Sequence, residues 1–224
     1  MASDLIISYD GTPNDDDALE LGRMLAGGSS SLSLAYVRHS REFDPQREEL
    51  AQHDAELRLE RGAAALENGP VSQHVIVNAS TGEGLANLAA DEGASVIVFG
   101  SDYRTPPGRP EPGTAAQYLL EGGSVPVAIA AAGLRSQSPG SIRGIAVPLA
   151  GATNQVARDT AHALAEKLGA SVVESGTDGV DLIVVGSQPG APEGHIVVGG
   201  DVRGELDRAR ASVLVLPAGN PLRL

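Results

Sequence analysis

The 224-residue chain contains no cysteine and no tryptophan. Without thiols there are no disulfides, no thiolate nucleophile, no iron–sulfur cluster and no Cys-ligated zinc. Aromatic residues are scarce, with two Phe and four Tyr, so the core has to be built from Ala, Val, Leu and Ile. Lysine occurs once, at Lys167, and the other fifteen cations are Arg. No Walker loop ending in Gly-Lys-Ser/Thr is present, and no G-x-S-x-G nucleophile elbow. No apolar run reaches the ~18 residues of a membrane span. Met1-Ala2-Ser3-Asp4 lacks the basic start and apolar stretch of a secretory leader, so a cytoplasmic location is expected. Positive charge is short as well. Sixteen basic against 29 acidic residues leave a net charge of −13, a surface that repels nucleic acid and anionic membrane.

What is present is a regular alternation of short apolar runs and helical patterns. Leu5 to Tyr9 reads as a buried strand entering the turn Asp10-Gly11-Thr12-Pro13. A helix follows, with Ala18, Leu21, Leu25 and Ala26 on one face, Asp15 to Asp17 in its first turn and Gly27-Gly28 at its end. Further strands are expected at Leu32–Val37, His74–Val77, Ser95–Phe99 and Val125–Ala130. Between them come helices at Gln46–Glu67, where Leu50, Leu57 and Ala64 are expected to form the buried face, at Leu85–Asp91 and at Thr114–Leu120. Alternation of this kind predicts an α/β fold around a parallel sheet.

After the polar stretch Leu134–Gly140 the pattern restarts: strand Ile145–Val147, helix Val156–Leu168, strands Ser171–Val173 and Leu182–Val185, helix Val202–Ala209 and strand Val213–Leu216. At an offset of 86, Ser95–Gly133 lies on Asp181–Gly219 without a gap. Ile97, Val98, Gly100, Ser101, Pro106, Gly108, Gly113, Leu120, Val127, Ala132 and Gly133 then meet identical residues. The expected organisation is a domain over residues 1–133, a linker over 134–142 and a shortened second domain over 143–224. Glu174–Val180 would then cross from one strand to a non-adjacent one. At ~3.3 Å per extended residue, seven residues reach about 23 Å, just enough.

In parallel α/β sheets, ligands bind beyond the carboxyl ends of the strands. The loops at Asp10, after Val37 and from Gly100 to Gly113-Thr114 should meet there. Gly100 lets the chain leave its strand without a side chain in the way. Gly113-Thr114 opens a helix whose first N–H groups suit a phosphate. Asp10 can accept from ribose hydroxyls, or alternatively cap the first helix. Asp15-Asp16-Asp17 reads more simply as acid compensating the helix dipole than as a metal site. His39, His53, His74, His162 and His195 share no ligand spacing, and no catalytic or metal residues are assigned.

The order of these features resembles the universal stress protein family, in two tandem copies over nearly the whole chain. That family's opening strand followed by Asp-Gly-Ser is similar to Tyr9-Asp10-Gly11-Thr12. The Gly-x2-Gly-x9-Gly-Ser/Thr loop of its ATP-binding members is similar to Gly100 through Tyr103 to Gly113-Thr114, with Tyr103 in place of the middle Gly. In the second copy Gly186 and Gly199 keep the spacing, but Pro189, Gly200 and Ala150 replace the middle Gly, the Ser/Thr and the Asp. The resemblance implies two Rossmann-like domains of the adenine nucleotide alpha hydrolase type, and a non-enzymatic stress-response protein. It further implies an ATP or AMP site, with Mg²⁺ accompanying ATP, formed by Tyr9, Asp10, Gly11, Thr12, Val37, Gly100, Tyr103, Gly113, Thr114 and Ala115. The two copies would pair within one chain as the family's homodimer pairs, through the last strands, giving a monomer or a weak homodimer. Tyr103 and Pro106, Pro107, Pro110 and Pro112, if they fill the cleft, suit a first alternative, a nucleotide-free scaffold that contacts an unknown protein. A slow ATP hydrolase is the second alternative, and against it stands the absence of a lysine, a metal-ligand set or a general base near the phosphates.

Overall fold

Nine short strands and seven helices are found among the described residues, in near alternation along the chain. The structure, a computed structural model, describes residues 4–66, 71–137, 140–148, 155–173, 179–219 and 221–224. The elements are β1 (Leu5–Ser8), α1 (Pro13–Ala26), β2 (Leu32–Arg38), α2 (Pro45–Leu66), β3 (Ser72–Val77), α3 (Thr81–Glu92), β4 (Val96–Phe99), α4 (Thr114–Leu120) and β5 (Val127–Ile129). After them come α5 (Leu134–Gln137), β6 (Gly144–Ala146), α6 (Gln155–Leu168), β7 (Ser171–Val173), β8 (Leu182–Gly186), α7 (Gly200–Arg208) and β9 (Ser212–Leu216). The α/β class read from the alternation is the class observed.

All nine strands belong to one sheet, in the order β3-β2-β1-β4-β5-β9-β8-β6-β7. Two parallel-sheet units meeting through their last strands were expected. The structure has two parallel runs joined into one continuous sheet by one antiparallel pair, β5 with β9, in the register Val127 to Val215, Ala128 to Leu214 and Ile129 to Val213. β7 and β8 flank β6, so the two are non-adjacent, as expected of the strands joined by Glu174–Val180. Residues 174–178 of that connection, and Ala150, lie outside the described residues.

Side chains alternate across the sheet with the period of two that strands impose. Leu5, Ile7, Leu34, Val96, Val98, Val184 and Leu214 face α1, α2 and α6. Ile6, Val37, Ile97, Phe99, Val127, Val185 and Val213 face α3, α4 and α7. Both faces are covered over the central strands, which is why β1, β4, β8 and β9 read as nearly unbroken apolar runs.

The sequence reading of α2 is corrected. Its buried residues are Ala55, Leu59, Gly62 and Leu66, whereas Leu50 is 60% exposed and Ala64 is exposed. Spacings of four, three and four follow the 3.6-residue turn, while a strict seven drifts by about 20° per repeat. The Tyr9 ring fixes this face: a Cβ on Gly62 would stand 2.8 Å from its Cε1. The linker stretch also differs from a plain polar loop. Leu134–Gln137 forms a helical turn, held to α1 by Asp17.

Hydrogen bonds recur at the offset of 86. Ser101 Oγ donates to the carbonyls of Ala130 (2.6 Å) and Arg109 (3.1 Å), and Ser187 Oγ donates to those of Leu216 (2.9 Å) and His195 (3.1 Å). Gly108 N–H donates to Ala132 O at 2.8 Å, and Gly194 N–H to Ala218 O at 2.7 Å.

Candidate functional site

The β1–α1 turn is closed on itself by a carboxylate. Asp15 Oδ2 accepts from Asp10 N–H (3.0 Å), Thr12 N–H (2.8 Å) and Thr12 Oγ1 (2.7 Å). Thr12 is the N-cap of α1, with Pro13 following it and Asp15 completing a capping box. Asp10 is therefore not the cap and stays exposed at the strand tip. Its protein surroundings and the charge of Asp15 push its carboxyl above the ordinary value, against the pull of Arg58 and His39. Burial also raises Asp15, opposed by the hydrogen bonds from Thr12. The three consecutive aspartates diverge. Asp16 meets Tyr9 Oη at 3.3 Å and pairs with Arg135, while buried Asp17 accepts from Gly133 N–H (2.7 Å) and Arg135 N–H (2.9 Å).

The β4–α4 loop is likewise built from internal bonds. A Cβ on Gly100 would collide with the Asn14 carbonyl, so the glycine is required by the first turn of α1 pressing on the strand end. Asn14 Nδ2 donates to the carbonyls of Ser101 (2.8 Å) and Asp102 (2.9 Å), clamping the loop to α1. Within the loop Asp102 N–H donates to Glu111 O (2.9 Å), Thr105 N–H to Asp102 O (3.0 Å) and Arg104 N–H to Asp102 Oδ1 (3.1 Å). Glu111 N–H donates to Ser101 Oγ (3.0 Å). The loop ends at Gly113, an N-cap of α4 without a side-chain capping bond.

The ten residues expected to form a nucleotide site are placed unevenly. Asp10, Gly11, Thr12 and Gly100 lie on the two loops that meet at the start of α1. Gly113 and Thr114 stand at the start of α4. The Tyr9 side chain is buried among Leu34 and Leu59 on the α1–α2 side, and Val37 is buried on the other side of the sheet. Ala115 packs against the α3–α4 layer. Tyr103 is 72% exposed, with the Arg104 guanidinium 4.8 Å from its ring centroid. Asn14, Asp17 and Ser101 matter to this region and were not singled out as site residues from sequence. Ser101 left a signal there in its identity with Ser187, and Asp17 as one of the acidic triplet, while Asn14 left none. Among the described residues no group of three or more His, Asp and Glu could hold a metal, and no helix is long and apolar enough to cross a membrane.

The profile of the Universal stress protein family matches residues 1–131. The chain belongs to this family. In fold it is similar to a universal stress protein from Archaeoglobus fulgidus DSM 4304, with a TM-score of 0.67, 15% identity, and coverage of 96% of this chain and 98% of that one. A functionally unknown protein from Pseudomonas aeruginosa PAO1 superposes with a TM-score of 0.62 and 16% identity, over 96% of this chain and 93% of that one. At such identities the likeness is one of fold. No curated protein sequence matches the chain. In this universal stress protein, then, six N–H groups of the β4–α4 loop, those of Asp102, Arg104, Thr105, Gly108, Arg109 and Glu111, and those of Asp10 and Thr12 in the β1–α1 turn have acceptors within the chain.

Proposed function

We propose that this universal stress protein acts in the stress response as an internally paired tandem protein that works through protein contact and does without a nucleotide in its first loop. The carrying observation is the internal hydrogen bonding of the Gly100–Gly113 loop. The N–H groups of Asp102, Arg104, Thr105, Gly108, Arg109 and Glu111 all have acceptors inside the protein, and the four prolines have no N–H to offer. A triphosphate would have to break these bonds before making its own. The Asp15 carboxylate already takes the donors of the β1–α1 turn, and Asp10, Asp16 and Asp102 add like charge. The hydrogen bonds repeated 86 residues apart, and the strand order mirrored about β5–β9, support reading residues 1–133 and 143–224 as two copies paired in one chain.

A second reading keeps the adenine nucleotide, ATP with Mg²⁺ or AMP, at Asp10 and Gly113-Thr114. The uncapped N-terminus of α4 favours it. Thermal unfolding with millimolar ATP and Mg²⁺, and separately with AMP, decides between them. Ligand at a hundred times its Kd adds about 2.7 kcal/mol, several degrees for a chain of this size. The scaffold reading expects no shift with either nucleotide, and a shift of several degrees with ATP overturns it.

A further inference from the structure

A cleft of about 680 Å³ opens on the sheet face covered by α3, α4 and α7, between the last two of these helices. It straddles the seam between the two parallel runs, and its walls are related by the same offset of 86: Gln117 by Arg203, Leu120 by Leu206 and Glu121 by Asp207. The relation fails at one point. On one side the second loop is stitched to the end of α4. Ile196 N–H donates to Gly123 O at 2.7 Å, Val197 bridges Glu121, and His195 Nδ1 lies 2.9 Å from Gly122 O. The residue matching Ile196 is Pro110, which has no N–H. Among the described residues no backbone hydrogen bond joins residues 109–112 to the end of α7. One side of the seam is sewn shut and the other gapes.

The open side has a definite chemistry. Leu120, Ile196 and Leu206 are buried and give it an apolar floor. Arg109 and Arg203 line its walls, and neither enters an ion pair, since the four pairs among the described residues use Arg23, Arg38, Arg135 and Arg208. Glu111, Glu121 and Asp207 line it too; one negative charge in excess disfavours a polyanion most, and a single negative charge is held there only at the guanidiniums, with the apolar floor supplying the rest of the affinity. The volume falls in the ~300–1,000 Å³ range of small-molecule sites. We propose that this cleft binds a small organic monoanion with an apolar body, its charge held by Arg109 and Arg203 and its body on the leucine floor.

The dye 8-anilinonaphthalene-1-sulfonate has that chemistry, and a chain without tryptophan leaves its fluorescence easy to read. The folded protein takes up the dye saturably, one per chain. Arg203→Gln, which installs the residue found at the matching position 117, weakens binding several-fold, and the double variant with Arg109→Gln weakens it about ten-fold or more. Glu121→Gln, by removing an opposing charge, tightens it. The uncharged N-phenyl-1-naphthylamine binds wild type and these variants alike, which separates loss of charge recognition from loss of folding. Absence of saturable dye binding, indifference of the dye to both Arg substitutions, or its displacement by ATP overturns the proposal.

Discussion

Asp17 does more than its neighbours in the acidic triplet, because it alone is buried, 2% exposed, and still has two charge-assisted bonds, to Gly133 and Arg135. Hydrogen bonds to a charged acceptor contribute about 1.5–3 kcal/mol each when the partner is left unsatisfied. Asp17→Ala is therefore expected to lower stability by about 2–4 kcal/mol in urea unfolding. Gly100→Ala forces a methyl group into the Asn14 carbonyl, and overpacking of this kind costs about 1–3 kcal/mol in the same assay. Asp10 has the opposite sign. Its native carboxyl sits above the ordinary value, through desolvation first and Asp15 second, so the folded state holds the proton more tightly than the unfolded chain. That preference favours folding below the unfolded pKa of about 3.9 and is lost as pH rises through the raised native value. At pH 7 Asp10→Asn should raise the melting temperature slightly, since solvent screens an exposed group. The difference from wild type should vanish near pH 3.

At the scale of elements, strands and helices were legible because both sheet faces are covered over the central strands and the apolar runs are short and bounded by Gly and Pro. Every strand expected from the sequence is present within a few residues. The buried face of α2 was not legible, since Leu50, Leu57 and Ala64 offered a tidy heptad while the true stripe runs through Ala55, Leu59 and the glycine under Tyr9. The loop positions of the candidate site were legible from Gly100 and Gly113. Their self-bonding was not, because it depends on Asn14 and Glu111 reaching Ser101 and on Asp15 turning back to Asp10, contacts that no local pattern encodes. The seam strands carry one polar tie: Ser212 Oγ accepts from Ala131 N–H at 3.1 Å in a buried site. Ser212→Ala leaves that N–H without its partner and is expected to destabilise by about 1–3 kcal/mol. Faster hydrogen exchange at Ala131 would report the same loss.

For the whole molecule, the fused sheet is the feature from which the rest follows. The antiparallel β5–β9 pair brings the two parallel runs together inside one chain, places α4 and α7 side by side, and leaves the half-open seam between them. A cysteine-free chain makes this pairing directly testable. Ile129 and Val213 are opposite one another in the ladder, and facing antiparallel residues have Cα atoms about 4.5–5.5 Å apart, within disulfide range. The double variant Ile129→Cys/Val213→Cys, oxidised and run without reductant, should migrate at the chain mass of 22.8 kDa with no free thiol. A disulfide-linked band at twice that mass, without the internal cross-link, would show that β5 pairs with another molecule and would contradict the internally paired protein.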